Sequence, residues 1–195
     1  RCPALPLGHT TALSRPHDES HQDQLPVLSH LRAVPGGLGQ SLAHAKQSHQ
    51  SLALVMLDLN GCRHINDRLG QMAGDRILRT IAKRLALNVG ALDTVCRYGG
   101  DEFVLILPDM DRTAALRTVE TITRQIAAPC AIDGYSISLN ASVGIAMYPR
   151  DSTDAEQLLE AADKAMYRQP PRPGLMGQPK IRLRWFLSAR DAENA

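Results

Sequence analysis

The stretch Cys96-Arg97-Tyr98-Gly99-Gly100-Asp101-Glu102-Phe103-Val104-Leu105-Ile106-Leu107 decides how this chain is read. Two apolar, strand-like runs, Thr94 to Tyr98 and Phe103 to Leu107, flank a Gly-Gly-Asp-Glu tip. Paired glycines between strand formers signal a hairpin, because a tight two-residue turn needs positive φ and glycine supplies it without steric cost. The turn also carries two adjacent carboxylates, which repel each other and which a plain hairpin does not need. A divalent cation and a triphosphate would give that clustered charge a purpose; a solvated acidic turn is the alternative.

A second stretch bears on the choice. Leu52-Ala53-Leu54-Val55-Met56-Leu57 is a continuous apolar run, of the kind buried on both faces of a sheet, and it ends on Asp58. A carboxylate at the end of a buried strand is costly unless it is paired or binds a metal. The chain continues Leu59-Asn60-Gly61-Cys62-Arg63-His64-Ile65-Asn66-Asp67-Arg68-Leu69-Gly70-Gln71-Met72-Ala73-Gly74-Asp75. With Arg97 to Phe103 and the following Leu107-Pro108, this resembles the GGDEF domain, the catalytic domain of bacterial diguanylate cyclases. The family's pattern over the second stretch is D-x-D-x-F-K-x-x-N-D-x-x-G-H-x-x-G-D. The likeness runs from about Asp23 to about Tyr167 in the family's order and spacing.

The resemblance implies an enzyme that joins two GTP molecules into cyclic di-GMP and releases two pyrophosphates, working as a homodimer with Mg²⁺ or Mn²⁺. It implies Asp58, Asp101, Glu102 and the Leu59 carbonyl as metal ligands, with Asp58, Asp101 and Glu102 catalytic. Asn66 and Asp75 match the guanine-reading pair. An amide can meet the base edge while a carboxylate accepts from the ring N1-H and 2-amino groups. Taken singly, Asn66-Asp67 also suits an Asx turn and Asp75 a helix N-terminal acid. Arg63, Gly99 and Gly100 complete the substrate-binding set.

Several positions depart from the pattern. Asn60 replaces the second Asp of D-x-D, Cys62 the Phe, Arg63 the Lys and Gln71 the His. Asp163-Lys164-Ala165-Met166-Tyr167 fits A-D-x-A-M-Y, but Pro170 and Gly174 stand where the family has a Lys and an Arg gripping the triphosphate. Weaker GTP binding than in a typical member is expected, with Arg168 and Arg172 as the available substitutes. Gly90-Ala91-Leu92-Asp93 keeps only the Asp of the R-x-x-D product-feedback site, so feedback inhibition is expected to be lost. The competing reading is a cyclase relic, a regulatory module that holds GTP or a partner without turnover.

Composition sets the frame. A length of 195 residues suggests one domain with flanks, and 44% hydrophobic with 22% charged residues is a soluble globular balance. A net charge of +2 argues against a nucleic-acid surface. Cys2, Cys62, Cys96 and Cys130 form no C-x-x-C pair, which fits a reducing, cytoplasmic setting rather than a zinc site. No apolar run approaches the roughly 18 residues of a membrane span, so no membrane contact is expected from this segment. The chain opens on Arg1 rather than Met. An upstream sensory or regulatory domain is therefore expected, and the full-length protein could be membrane-anchored.

The expected fold is α+β: a central, mainly antiparallel sheet flanked by helices, palm-like as in nucleotidyl cyclases. The expected boundaries are a linker or disordered lead-in over 1–22, the GGDEF domain over 23–169, and a C-terminal extension or linker over 170–195. Gly36-Gly37 is expected to break the chain before a helix of about Leu38 to Gln50. Gly74-Asp75 should open a second helix with an Ile77, Leu78, Ile81, Leu85 stripe. Asp111 should cap a third that Pro129 stops. Asp133-Gly134 reads as a turn, Ile137 to Ala146 as a strand, and Thr153 with Glu156 as the capping box of a last helix. Trp185-Phe186 reads as an added strand or the start of a next segment.

Overall fold

The computed structural model of the protein describes residues 33–167 and 185–187. The lead-in, the eroded 23–31 segment and the Arg168, Pro170, Arg172 and Gly174 positions lie outside the described residues. The central strand is the uninterrupted apolar run, β1 (Leu52–Asn60). It is flanked by β3 (Glu102–Pro108) and β6 (Asn140–Tyr148), both antiparallel to it. On the far side of β3 lies β2 (Thr94–Arg97), and beyond β6 the short β7 (Trp185–Leu187), which runs parallel to β6. Trp185 and Phe186 thus belong to an added edge strand, one of the two readings their sequence left open.

Residues alternate between the two faces of β1, and both faces are covered. Ala53, Val55, Leu57 and Leu59 enter one core, against α3 (Gln71–Leu87) and α4 (Arg112–Ala127). Leu52, Leu54 and Met56 enter the other, against α1 (Ala33–Ser48) and α5 (Ala155–Tyr167). The short α2 (Cys62–Leu69) joins β1 to α3, and β4 (Cys130–Ile132) with β5 (Tyr135–Ile137) forms a separate two-stranded hairpin. The mainly antiparallel α+β architecture is as expected.

Five local expectations need correction. Gly36 and Gly37 lie within α1, whose Val34, Leu38, Leu42 and Ala45 stripe is buried. Packing outweighs the helix penalty of glycine, and Gly37 sits against Ile106 at 3.8 Å from where a Cβ would stand. The second helix starts at Gln71, not Gly74, and a further helix, α2, precedes it. The strand expected over 137–146 is two: β5 ends at Ile137 and β6 begins at Asn140. Asp154, not Thr153, caps α5, its carboxylate accepting from the N–H groups of Glu156 and Gln157 at 3.0 Å each. A carboxylate one residue closer to the helix outcompetes the threonine hydroxyl. Gly99 and Gly100 do not carry the positive φ expected of them; four residues, not two, link β2 to β3, so the turn needs no left-handed residue.

Asp111 caps α4 as expected, accepting from Ala114 N–H at 2.7 Å. One close approach sets the position of α5. A Cβ on Gly144 would overlap the Ala162 carbonyl, so only glycine lets the helix lie this close on β6.

Candidate active site at the end of the sheet

The register of β1 assembles the acids. Asp58 pairs directly with Glu102 across β1 and β3, and with Ser142 across β1 and β6. Continuing the alternation from Leu52, Leu54 and Met56, Asp58 stands on the α1/α5 face. Glu102 follows Val104 and Ile106 to that same face, and Ser142 follows Gly144 and Ala146. Asp101 is held alongside by backbone: the Leu59 N–H donates to the Asp101 carbonyl at 3.1 Å, extending the ladder one residue beyond β3. That bond leaves the Leu59 carbonyl on the hairpin side of β1, because N–H and C=O of one strand residue project together.

The electrostatics follow from this crowding. Burial pushes the Asp58 carboxyl above the ordinary carboxylate range, and the charges of Asp101 and Glu102 push it further. Burial also raises the Cys62 thiol, to about 11, with Asp101 and Asp58 adding to the rise and Arg97 opposing it. Cys62 therefore stays protonated and serves as core. The three acids are neighbours but not a closed cage: among the described residues, no group of three or more His, Cys, Asp or Glu converges as a metal site. Hard oxygen donors whose like charges repel nevertheless suit Mg²⁺, which takes one or two carboxylates and leaves the other positions to phosphate and water. The donor set fits the metal that the sequence implies.

The hairpin tip is built for space. A Cβ on Gly99 would stand 2.5 Å from Glu102 Oε2, so the carboxylate rests directly over that glycine. The Glu102 carbonyl accepts from Tyr98 N–H at 2.8 Å and Gly99 N–H at 3.3 Å. Arg97 braces the loop from below, its Nε and Nη2 donating to the Gly100 carbonyl at 3.1 and 2.6 Å. Gly100 itself has open space around it.

The proposed base-reading pair lies on α2 and α3, the helices packed against the Val55 and Leu57 face of the sheet. Gly61, at φ 97°, swings the chain from β1 into α2, and Gly70, at φ 84°, swings it from α2 into α3. The turn folds Asn66 back: a Cβ on Gly74 would overlap its amide, which places Asn66 beside the residue preceding Asp75. Asn66 is helical rather than the start of an Asx turn, and Asp75 lies in the second turn of α3 rather than at its opening. Arg63 is exposed in the first turn of α2, a helix start with no side-chain cap. The structure thus brings Asp58, Leu59, Asp101, Glu102, Gly99 and Gly100 together, and separately Asn66, Gly74 and Asp75. Arg63 stands on the turn connecting the two groups.

The family model for the diguanylate cyclase GGDEF domain matches residues 20–172. The chain belongs to the GGDEF family. It is 37% identical over 151 residues to the diguanylate cyclase TpbB of Pseudomonas aeruginosa, covering 76% of this chain and 35% of TpbB. It is 34% identical over 161 residues to the bifunctional diguanylate cyclase/cyclic di-GMP phosphodiesterase MucR of the same species, covering 80% of this chain and 24% of MucR. The chain thus spans a quarter to a third of these curated relatives. Among solved structures, the GGDEF domain of TpbB superposes with a TM-score of 0.70 at 36% identity, over 72% of this chain and 88% of that one. A sensory box/GGDEF family protein of Caulobacter crescentus gives 0.69 at 33%, over 72% and 92%.

Against the GGDEF pattern, the departures find local roles. Asn60 is exposed beside the acids and its Nδ2 donates to Ser142 Oγ at 3.0 Å. Cys62 fills the core where the family has an aromatic ring. Asp93 is turned inward, accepting from Gly90 N–H at 2.6 Å, so the surviving acid of the feedback motif closes its own turn. Sequence reasoning gave Tyr167 no role beyond its motif match. In the structure it ends α5 and is 61% exposed. Partial burial and the charges of Glu102, Asp58, Asp163 and Asp101 raise its phenol above the usual value. Nothing in the sequence marked it beyond the motif, because its place beside Asp58 follows from the packing of α5 on β6.

Proposed function

We propose that this domain is a diguanylate cyclase: it holds one GTP, and a second copy of the domain presents the other. The observation that carries the reading is the pairing of Asp58 with Glu102 on one face of the sheet end, with Asp101 beside them. Guanine would sit at Asn66 and Asp75, the amide and carboxylate matching its Watson–Crick edge. The triphosphate would cross the Gly61 turn, where Arg63 and the uncapped N–H groups at the start of α2 favour anionic oxygens. Its α-phosphate would then reach the acids at the end of the sheet.

Asp58, Asp101, Glu102 and the Leu59 carbonyl would hold Mg²⁺ or Mn²⁺, which polarises the phosphate, lowers the 3′-hydroxyl pKa and steadies the leaving pyrophosphate. Glu102 would accept the proton of the attacking hydroxyl, its carboxylate lying over Gly99 at the hairpin tip, where no side chain stands beneath it. Each 3′-oxygen bonds to the α-phosphorus of the opposing GTP as the bond to pyrophosphate breaks. Two such steps close the ring.

The test is incubation of the purified chain with GTP and Mg²⁺, separating nucleotides by chromatography. Cyclic di-GMP and pyrophosphate are expected, and ATP should give no cyclic product. GTP bound at equilibrium without any product would leave the relic reading in place of the enzyme. Equal affinity for GTP and ATP would remove Asn66 and Asp75 from base recognition, since adenine leaves a carboxylate unpaired.

A further inference from the structure

We propose that Tyr167 is a substrate-positioning residue of this site, its phenol O–H donating a hydrogen bond to the triphosphate; the inference rests on the GTP reading above. The geometry comes from α5. The contact of Gly144 with Ala162 and Met166 pins the last turn of the helix on β6, and Gly144 lies opposite Met56 on β1. Two residues further along both strands, Ser142 lies opposite Asp58. The helix therefore ends beside Asp58 and Glu102, on their face of the sheet, and Tyr167 is its last residue. The charges of Glu102, Asp58 and Asp101 all act on its phenol.

Packing does not account for the ring. Leu158, Ala162, Ala165 and Met166 are the buried residues of α5, whereas Tyr167 is mostly exposed. Chemistry accounts for it better. A triphosphate approaching three carboxylates needs donors as well as a cation, and Pro170 and Gly174 offer no side-chain donor where the family has Lys and Arg. A phenol donates without carrying charge, and α5 packs on the face of the sheet that carries Asp58 and Glu102.

The test is titration calorimetry with Mg²⁺·GTP, Mg²⁺·tripolyphosphate and guanosine on the parent chain, Tyr167→Phe and Tyr167→Leu. Thermal melts on all three proteins check that the exposed substitution leaves the fold intact. Both variants are expected to bind GTP and tripolyphosphate about tenfold more weakly, the effect of one hydrogen bond to a charged group, and to bind guanosine like the parent. Parent-like binding by Tyr167→Phe would overturn the proposal, whether or not Tyr167→Leu is impaired, because the hydroxyl would then be idle. A parent chain that binds no GTP would overturn this proposal together with the functional reading beneath it. Normal GTP binding by parent and Phe variant alike would overturn this proposal alone.

Discussion

Among the described residues, two hairpins carry glycine at the tip, and they use it for opposite reasons. In the β4–β5 hairpin, Asp133 and Gly134 form a two-residue loop with φ of 49° and 82°, the positive pair that a type I′ turn demands. Glycine there meets a backbone requirement, and an exposed Arg76–Asp133 ion pair ties the turn to α3. In the β2–β3 hairpin, neither Gly99 nor Gly100 is left-handed, and the loop is longer. Glycine there meets a spatial requirement, the room for Glu102 above Gly99. One hairpin is shaped by its backbone and the other by the carboxylates it displays.

This contrast predicts which changes cost activity and which cost stability. The largest effect is expected for Asp101→Ala, a loss of cyclase activity on the order of a thousandfold at unchanged melting temperature. Equal turnover in mutant and parent, at matched folding, would take Asp101 out of the mechanism. Gly99→Ala should displace the Glu102 carboxylate, which is the far end of a flexible side chain and can yield. Turnover should fall on the order of tenfold to a hundredfold with little change in stability. A large drop in melting temperature instead would mean that Gly99 serves the backbone after all.

Gly134→Ala reverses the pattern. Forcing a Cβ into left-handed backbone should cost about 1 kcal/mol by denaturant titration, with activity retained.

The smallest effect on stability is expected at Asp58. Its carboxyl is raised in the folded protein by burial and by Asp101 and Glu102, so the fold binds its proton more tightly than the unfolded chain does. That contribution is fully present below the unfolded value and is lost as pH rises through the folded one. Without divalent metal, Asp58→Asn should therefore melt slightly higher than the parent at neutral pH, with the gain vanishing in acid. A variant that melts lower at neutral pH would show that the carboxylate stabilises the fold.

Much of this was legible in the residues themselves. Leu52 to Leu57 reads as a core strand because a long apolar run has no solvated alternative, and Asp111 reads as a cap because its carboxylate competes for exposed N–H groups at a helix start. Gly-Gly-Asp-Glu between strand formers identifies both the hairpin and its unusual charge. The α2 helix was harder to see: Cys62, Ile65 and Leu69 form its inner stripe, but eight residues give too few turns for a period to stand out.

The sequence by itself therefore determined the family, the strand and hairpin that carry the acids, and the residue types available at the site. Tertiary structure alone decided which face each of them occupies. A strand buried on both sides shows no alternation, so nothing in Leu52 to Asp58 says that Asp58 stands towards α5 while Leu57 stands towards α3. That parity appears only once β1 is paired with β3 and β6 and both layers of helices are in place. It places Asp58 and Glu102 on the α1/α5 side of the sheet end, while α3, which carries Asp75, packs in the layer on the other side. It also brings Tyr167, the last residue of a helix more than a hundred residues further along the chain, beside Asp58, because Gly144 lets α5 lie against the strand.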